Sequence, residues 1–334
     1  MKTPSLACFA AGLFLVVSSL LSGCASMAPQ SYALKTHSPP DLPPRAELVD
    51  VPFFPQKDYQ CGPAALATVL NAEGVSIAPD ALVDQVYLPG RKGSLQIEML
   101  AATRRQGMLA YEPAPELADL LAEVAAGNPV VVLENFGVPI YPLWHYAVVV
   151  GYDLDEGRLI LRSGLRRRET MPLMLFERLW SHSDYWAMLA LPPSRLPAKA
   201  TQSRYLSAAL ALEKSGQLQS ARRAYATLLT RWPQNLAARM GLGNTNYALG
   251  EMGEAERAFR AATLEHDQSA PAFNNLAQTL ADQGRYVEAL DAARQAVRLG
   301  GDTLATSRAT LDEIERKAGA NGAPTQHIRL RPND

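Results

Sequence analysis

Excess charge of either sign is the first thing this sequence lacks. Against 33 aspartates and glutamates stand 32 lysines and arginines, giving 334 residues a formal net charge of −1. A nucleic-acid partner demands a basic excess or stripe, so that class is excluded. The one dense basic run, Arg166-Arg167-Arg168, reads as a solvated face beside a strand end. Histidine and cysteine are scarce too, at five and three. No Cys/His cluster stands at ligand spacing, so neither a metal nor a cofactor is implied. At 48% hydrophobic and 19% charged residues the composition is globular, neither disordered nor membrane-spanning. The length suits two domains plus a tail.

What is present begins with a targeting segment. Lys2 supplies a short positive region, and an apolar stretch from about Leu6 to Leu21 is too short to span a bilayer comfortably. It closes on Leu21-Ser22-Gly23-Cys24, which resembles the lipobox of bacterial lipoproteins. That resemblance implies a signal peptide over residues 1–23, cleavage after Gly23 and lipidation of Cys24. Each buried CH₂ adds about 0.8 kcal/mol, so several acyl chains anchor firmly. Ala25 in place of Asp favours the outer membrane, facing the periplasm of a bacterial envelope. Cys8 would leave with the signal peptide and Cys24 would be consumed by lipid. One thiol then remains, Cys61, in an oxidising compartment where an unpaired thiol is either buried and inert or reactive and used.

Residues 24–47, rich in Pro and Ser and without periodicity, read as an extended lipidated tether. A first domain is expected over 48–191. Cys61-Gly62-Pro63 opens a helix whose apolar positions Leu66, Val69 and Leu70 keep helical spacing and which Gly74 ends. Further helices are expected over 95–106 and 116–126. Strands follow at 129–133, 145–150, 158–161 and 185–191. Helices first and a mostly antiparallel sheet afterwards make an α+β arrangement. A Pro-rich linker spans 192–200. From 201 to 318 the chain repeats with a period of 34: Gly216, Gly250 and Gly284 share that interval, as do Ala221, Ala255 and Ala289. The string LGNTNYALGEMGEAERAFRAA resembles tetratricopeptide (TPR) repeats, and units over 202–235, 236–269 and 270–303 with a capping helix at 304–317 are expected. The remaining residues 319–334 read as a disordered tail.

The chemistry centres on Gln56–Ala65, QKDYQCGPAA, a loop entering a helix with cysteine at its start. A helix N-terminus carries roughly half a positive charge and free N–H groups, which favour thiolate and predict a depressed Cys61 pKa. A nucleophilic thiol also needs a base. His37 lies in the tether, His182 and His266 in polar helix or loop contexts, and His327 in the tail. His145 alone heads an apolar, strongly β run, HYAVVVGYD.

Together VPFFPQKDYQCGPAALATVL and HYAVVVGYD resemble the papain-like bacteriocin-processing (double-glycine leader) cysteine peptidases, over about Val51 to Leu191. The resemblance implies Cys61 as nucleophile, His145 as general base and Gln56 as oxyanion-hole donor beside the Cys61 backbone N–H, with Gln60 the rival donor. Where that family places an Asp beside the histidine, this sequence departs. Asp153 lies on the histidine's own strand, about 26 Å away if the strand is extended. A hairpin turn over DLDEG would instead return residues 162–165 opposite His145, putting Ser163 at the Asp position. Glu134 or Asn135, on a neighbouring strand, could substitute.

The sequence thus predicts an α+β papain-like cysteine peptidase domain followed by an all-α TPR helical repeat domain, lipid-anchored in the envelope. The expected activity is cleavage of a peptide or amide bond, with the repeats binding a protein or peptide partner. Phytochelatin-synthase-like γ-glutamyl transfer or peptidoglycan amide cleavage would use the same dyad. A non-catalytic lipoprotein scaffold is the rival from another class.

Overall fold

The computed structural model describes residues 28–138 and 140–320. The signal segment, Cys24 and residues 321–334 of the expected tail lie outside the described residues. Among the described residues no helix is long and apolar enough to cross a membrane. The chain divides into two compact units, one running to Pro192 and including 197–204, the other holding 193–196 and the chain from Tyr205.

The first unit is built on a mostly consecutive antiparallel sheet. Its strands are β1 (Arg45–Glu47), β4 (Leu109–Tyr111), β5 (Val130–Asn135), β6 (Trp144–Asp153), β7 (Arg158–Ser163), β8 (Arg166–Pro172) and β9 (Ala187–Leu191), with β2 (Tyr87–Leu88) and β3 (Gly93–Ser94) forming a separate ribbon. The sheet order is β4-β9-β5-β6-β7-β8, and β1 pairs with the far end of β6. One face packs Val131, Leu133, Tyr146, Val148 and Val150 against α2 (Cys61–Ala72). The alternate positions Val130, Val132, Ala147 and Val149 are buried as well. Helices α5 (Leu117–Ala125) and α6 (Leu173–Ser181) contact β5, and α5 also contacts β6. Burial on both faces is why these strands read as unbroken apolar runs.

Helix α2 is almost wholly buried from Gly62 to Leu70. Gly62 is required there by close approach: a Cβ added to it would collide with the Ser94 side chain. The Asp153–Arg158 pairing closes the expected hairpin. The arginine run sits on β8, the last strand of the sheet order, where Arg168 meets Glu47 at 2.8 Å and Arg166 meets Glu169 at 3.2 Å. Charge on an edge strand blunts edge-to-edge pairing.

Two expectations change. The segment 24–47, expected as an extended tether, carries helix α1 (Pro29–Thr36) and strand β1. The cause is Glu177, fully buried on α6, whose carboxylate accepts from the backbone N–H groups of Gln30 (2.8 Å) and Ser31 (2.6 Å) at the start of α1. These are the donors a helix N-terminus leaves unsatisfied. The linker expected over 192–200 is likewise partly absorbed: Glu123 accepts from the backbone of Ala198 and Lys199 at 3.0 and 2.9 Å. Helices α3 (Asp80–Val86) and α6, strands β4 and β8 and the short ribbon add to the expected elements. Helix α4 (Gln96–Arg105) falls where it was expected.

Among the described residues the second unit is built of helices: α7 (Gln202–Lys214), α8 (Leu218–Arg231), α9 (Leu236–Ala248), α10 (Met252–Glu265), α11 (Ala270–Asp282), α12 (Tyr286–Leu299) and α13 (Leu304–Ala320). The helices fall in pairs at the 34-residue period, with α13 packing on α12 as the cap. Gly216, Gly250 and Gly284 turn the chain within each pair at φ of 77°, 79° and 76°, a left-handed conformation costly for any side chain with a Cβ. Asn235 caps α9, its side chain accepting from Ala238 N at 2.7 Å. Ala221, Ala255 and Ala289 are fully buried, which lets neighbouring helices approach.

Candidate active site

Cys61 begins α2, and no side chain caps that helix start. Its first N–H groups are therefore free for the sulfur, and the backbone of Tyr146, Gly62 and Cys61 favours its charged form. Tyr146 is the residue after His145, so the thiol sits at the mouth of β6, where the imidazole starts the strand. Cys61, His145 and Gln56 line one cleft of about 930 Å³. Its wall continues through Leu143, Trp144 and His182.

His145 is fixed from two sides. Its Nε2 lies 3.0 Å from Ser163 Oγ, and the edge of its ring meets Phe136 at a centroid distance of 5.8 Å. The β6–β7 hairpin thus brings Ser163, the residue after the Val148–Arg162 pair, to the imidazole. Gly164, next along, accepts from the backbone N–H of Gln56 at 3.1 Å, so one turn braces both the imidazole and the loop before Cys61. Buried Arg162 fastens the same region by donating to the carbonyls of Leu48, Val49, Val51 and Arg167.

Of the two candidate amide donors, Gln56 lines the cleft, and its Nε2 donates to Tyr146 O at 3.4 Å. Gln60 is the cap residue of α2. Asn135 is committed elsewhere: its Oδ1 accepts from Gly137 N (2.9 Å) and Leu143 N (2.8 Å), closing the neck of the 136–143 loop. Asp153 faces Arg45 at the far end of β6. Glu134 is fully buried, with no hydrogen-bond partner for either oxygen.

The electrostatics differ from the expectation of a depressed thiol. Burial pushes the Cys61 thiol up, and the three backbone hydrogen bonds that pull it down are outweighed. Burial also holds the His145 imidazole below its ordinary value, opposed by the charge of Glu169. Desolvation disfavours the charged form of each. Sequence reasoning missed Glu169 and the Tyr146 N–H, because strand pairing alone brings them in. Among the described residues no three His, Cys, Asp or Glu side chains converge as a metal site would require.

The cleft rim carries an unusual loop. Ile140, Tyr141 and Leu143 are 80%, 78% and 64% exposed, and residues 136–144 hold no charge.

Residues 48–183 match the Peptidase_C39 like family, and 206–271 and 247–302 match the tetratricopeptide repeat. No curated protein matches the chain. Among solved structures, a putative C39-like peptidase from Bacillus anthracis is 17% identical, over 44% of this chain and 97% of that one, with a TM-score of 0.36. The Yersinia enterocolitica type III secretion translocator chaperone SycD is 18% identical over 36% of this chain and 86% of its own, with a TM-score of 0.34. The Sgt2 TPR domain from Aspergillus fumigatus is 18% identical over 40% and 91%, also at 0.34.

Proposed function

From a Peptidase_C39-like domain at residues 48–183 followed by tetratricopeptide repeats, we propose that this protein is an envelope-anchored cysteine peptidase whose repeats bind a protein or peptide partner. The observation that carries this reading is the shared cleft: Cys61, His145 and Gln56 line it together, while Ser163 holds the imidazole by Nε2. That leaves Nδ1 as the ring nitrogen for the thiol.

In the proposed reaction the S–H proton of Cys61 passes to His145 and the sulfur attacks the carbonyl carbon of the scissile amide. The oxyanion accepts from the Cys61 backbone N–H and from the Gln56 amide, whose second N–H is free while the first is held by Tyr146 O. The imidazolium then gives its proton to the departing amine, and water, deprotonated by the same ring, hydrolyses the thioester. Burial that disfavours the charged form of both groups suits a device that separates charge only with substrate in place. The uncharged loop at the rim favours substrates presenting apolar side chains next to the scissile bond. Lipidation at Cys24 would hold the enzyme at the outer membrane, facing the periplasm.

The test is a covalent cysteine probe on the mature protein, with the modified residue identified by mass spectrometry. Labelling of Cys61 that slows at least tenfold in His145→Ala is expected. Labelling no faster than a free thiol, and indifferent to His145, would favour the second reading, a lipoprotein scaffold, to which the serine in place of a carboxylate already lends weight. A panel of peptides, glutathione and muropeptides then separates peptidase from γ-glutamyl transfer and from peptidoglycan amidase activity.

A further inference from the structure

Glu134 is a buried acid that the mechanism above leaves unused. It stands directly opposite His145 in the β5–β6 register, so the two share a face of the sheet with Cβ atoms about 5 Å apart. It is 0% exposed, and neither carboxyl oxygen has a hydrogen-bond partner. A buried polar group left unsatisfied costs about 1–3 kcal/mol and calls for an explanation in terms of use. The next strand along completes the surroundings: Ser163 on β7 contacts the imidazole, and Glu169 on β8 lies opposite Leu161.

We propose that Glu134 is a positioning residue for His145, the carboxyl against which the imidazole is held when it carries the thiol proton. The inference rests on the cysteine-peptidase reading. Its surroundings keep Glu134 neutral at rest: burial, and then the negative charge of Glu169, push it up to about 8. The titratable groups facing it are His145, its partner in the β5–β6 register, and Glu169 on β8, while His182 at the end of α6 meets the carbonyl of the neighbouring Asn135 at 3.4 Å. Glu177 of α6 is occupied by the backbone of α1.

No proton needs to leave Glu134 for the device to work. The S–H bond of Cys61 breaks and an N–H bond forms on His145, so the pair stays neutral overall while a cation appears beside Glu134. Below its titration the acid offers that cation a carbonyl oxygen. Above it, the carboxylate offers a full negative charge and the thiolate–imidazolium state is favoured further. Ser163, uncharged, cannot supply that second effect.

The experiment follows iodoacetamide alkylation of Cys61 in the full chain between pH 6 and 9.5, quantified by mass spectrometry, for wild type, Glu134→Gln, Glu134→Asp and His145→Ala. Glutamine keeps the volume and removes the titration. The wild-type to Glu134→Gln rate ratio is expected to grow with pH, from about 2 near pH 6.5 to about 10 near pH 9. Glu134→Asp, which keeps a carboxyl, should retain a pH-dependent rate close to that of the wild type. A ratio that stays constant across the range overturns the positioning role while a slow His145→Ala leaves the peptidase reading standing. Should His145→Ala react as fast as wild type, the catalytic pair itself fails, which is a separate result. If Glu134→Gln does not fold, Glu134→Met takes its place, and a wild-type to Glu134→Met rate ratio that stays constant across the pH range overturns the proposal in the same way.

Discussion

Ser163 Oγ lies 3.0 Å from His145 Nε2, at the position where the related peptidases are expected to carry an aspartate. A hydroxyl can hold the ring's orientation, but it cannot stabilise an imidazolium as a carboxylate does. Ser163→Ala should therefore slow Cys61 alkylation near pH 7 about tenfold, a loss of one hydrogen bond to a group that becomes charged. Ser163→Asp should raise the rate above wild type, because the new charge opposes the burial that holds His145 low. Parallel stopped-time alkylation of the three proteins checks both. Three superimposable curves would mean that the contact does nothing for the thiol.

Glu134 has a stability signature with a definite sign. An acid whose folded pKa is raised from its ordinary 4.5 to about 8 binds its proton more tightly in the native state. Below about pH 4.5 it costs nothing, because both states are protonated. Between 4.5 and 8 the unfolded chain ionises while the native protein does not, so stability falls as pH rises, by at most about 5 kcal/mol. Urea unfolding midpoints at pH 5, 6.5 and 8 should show wild type losing ground to Glu134→Gln as pH rises. Taking the difference between the two proteins removes the other titrating groups. Equal slopes would mean that Glu134 is better solvated than its burial implies.

Much of this arrangement could be read from residues close together in the chain. The 34-residue recurrence of glycine and alanine located the repeats, because each turn needs a left-handed residue at the same place. QxxxxCGPA singled out Cys61, which lines the cleft with His145, and the hairpin singled out Ser163, which meets the imidazole. The illegible parts depend on partners far apart in sequence. Residues 29–36 look like tether because the group that satisfies their helix start, Glu177, lies 146 residues from Ser31. The thiol's direction of shift was misjudged because the helix start is a local feature, whereas the burial that outweighs it comes from the sheet. Glu134 passed for one more substitute orienter, since nothing in a sequence reveals that both its oxygens lack partners.

That dependence of α1 on Glu177 can be measured. The carboxylate accepts from two backbone N–H groups and is fully buried, so Glu177→Gln loses the charge and one good acceptor together. A cost of about 2–3 kcal/mol is expected, concentrated on residues 28–47. Hydrogen exchange should show the backbone amides of Gln30 and Ser31 losing protection while those of β5 and β6 keep theirs. Uniform loss across the sheet would instead make Glu177 a general core residue and leave the docking of α1 unexplained.

Gly62, beside Cys61, offers a test of how tightly the head of α2 is seated. A methyl group there would meet the Oγ and Cβ of Ser94, with the Met99 sulfur 3.4 Å away. Gly62→Ala gains helix propensity but must displace a neighbour, and overpacking of this kind costs about 1–3 kcal/mol. Ser94→Gly removes both clashing atoms, so the double variant should recover most of the loss, a coupling above about 1 kcal/mol. Thermal unfolding of the two single variants and the double reads that coupling. Cys61 alkylation should follow the same pattern, since a shift of the first turn moves the sulfur within the cleft it shares with His145. Additive effects would place the Gly62 requirement somewhere other than Ser94.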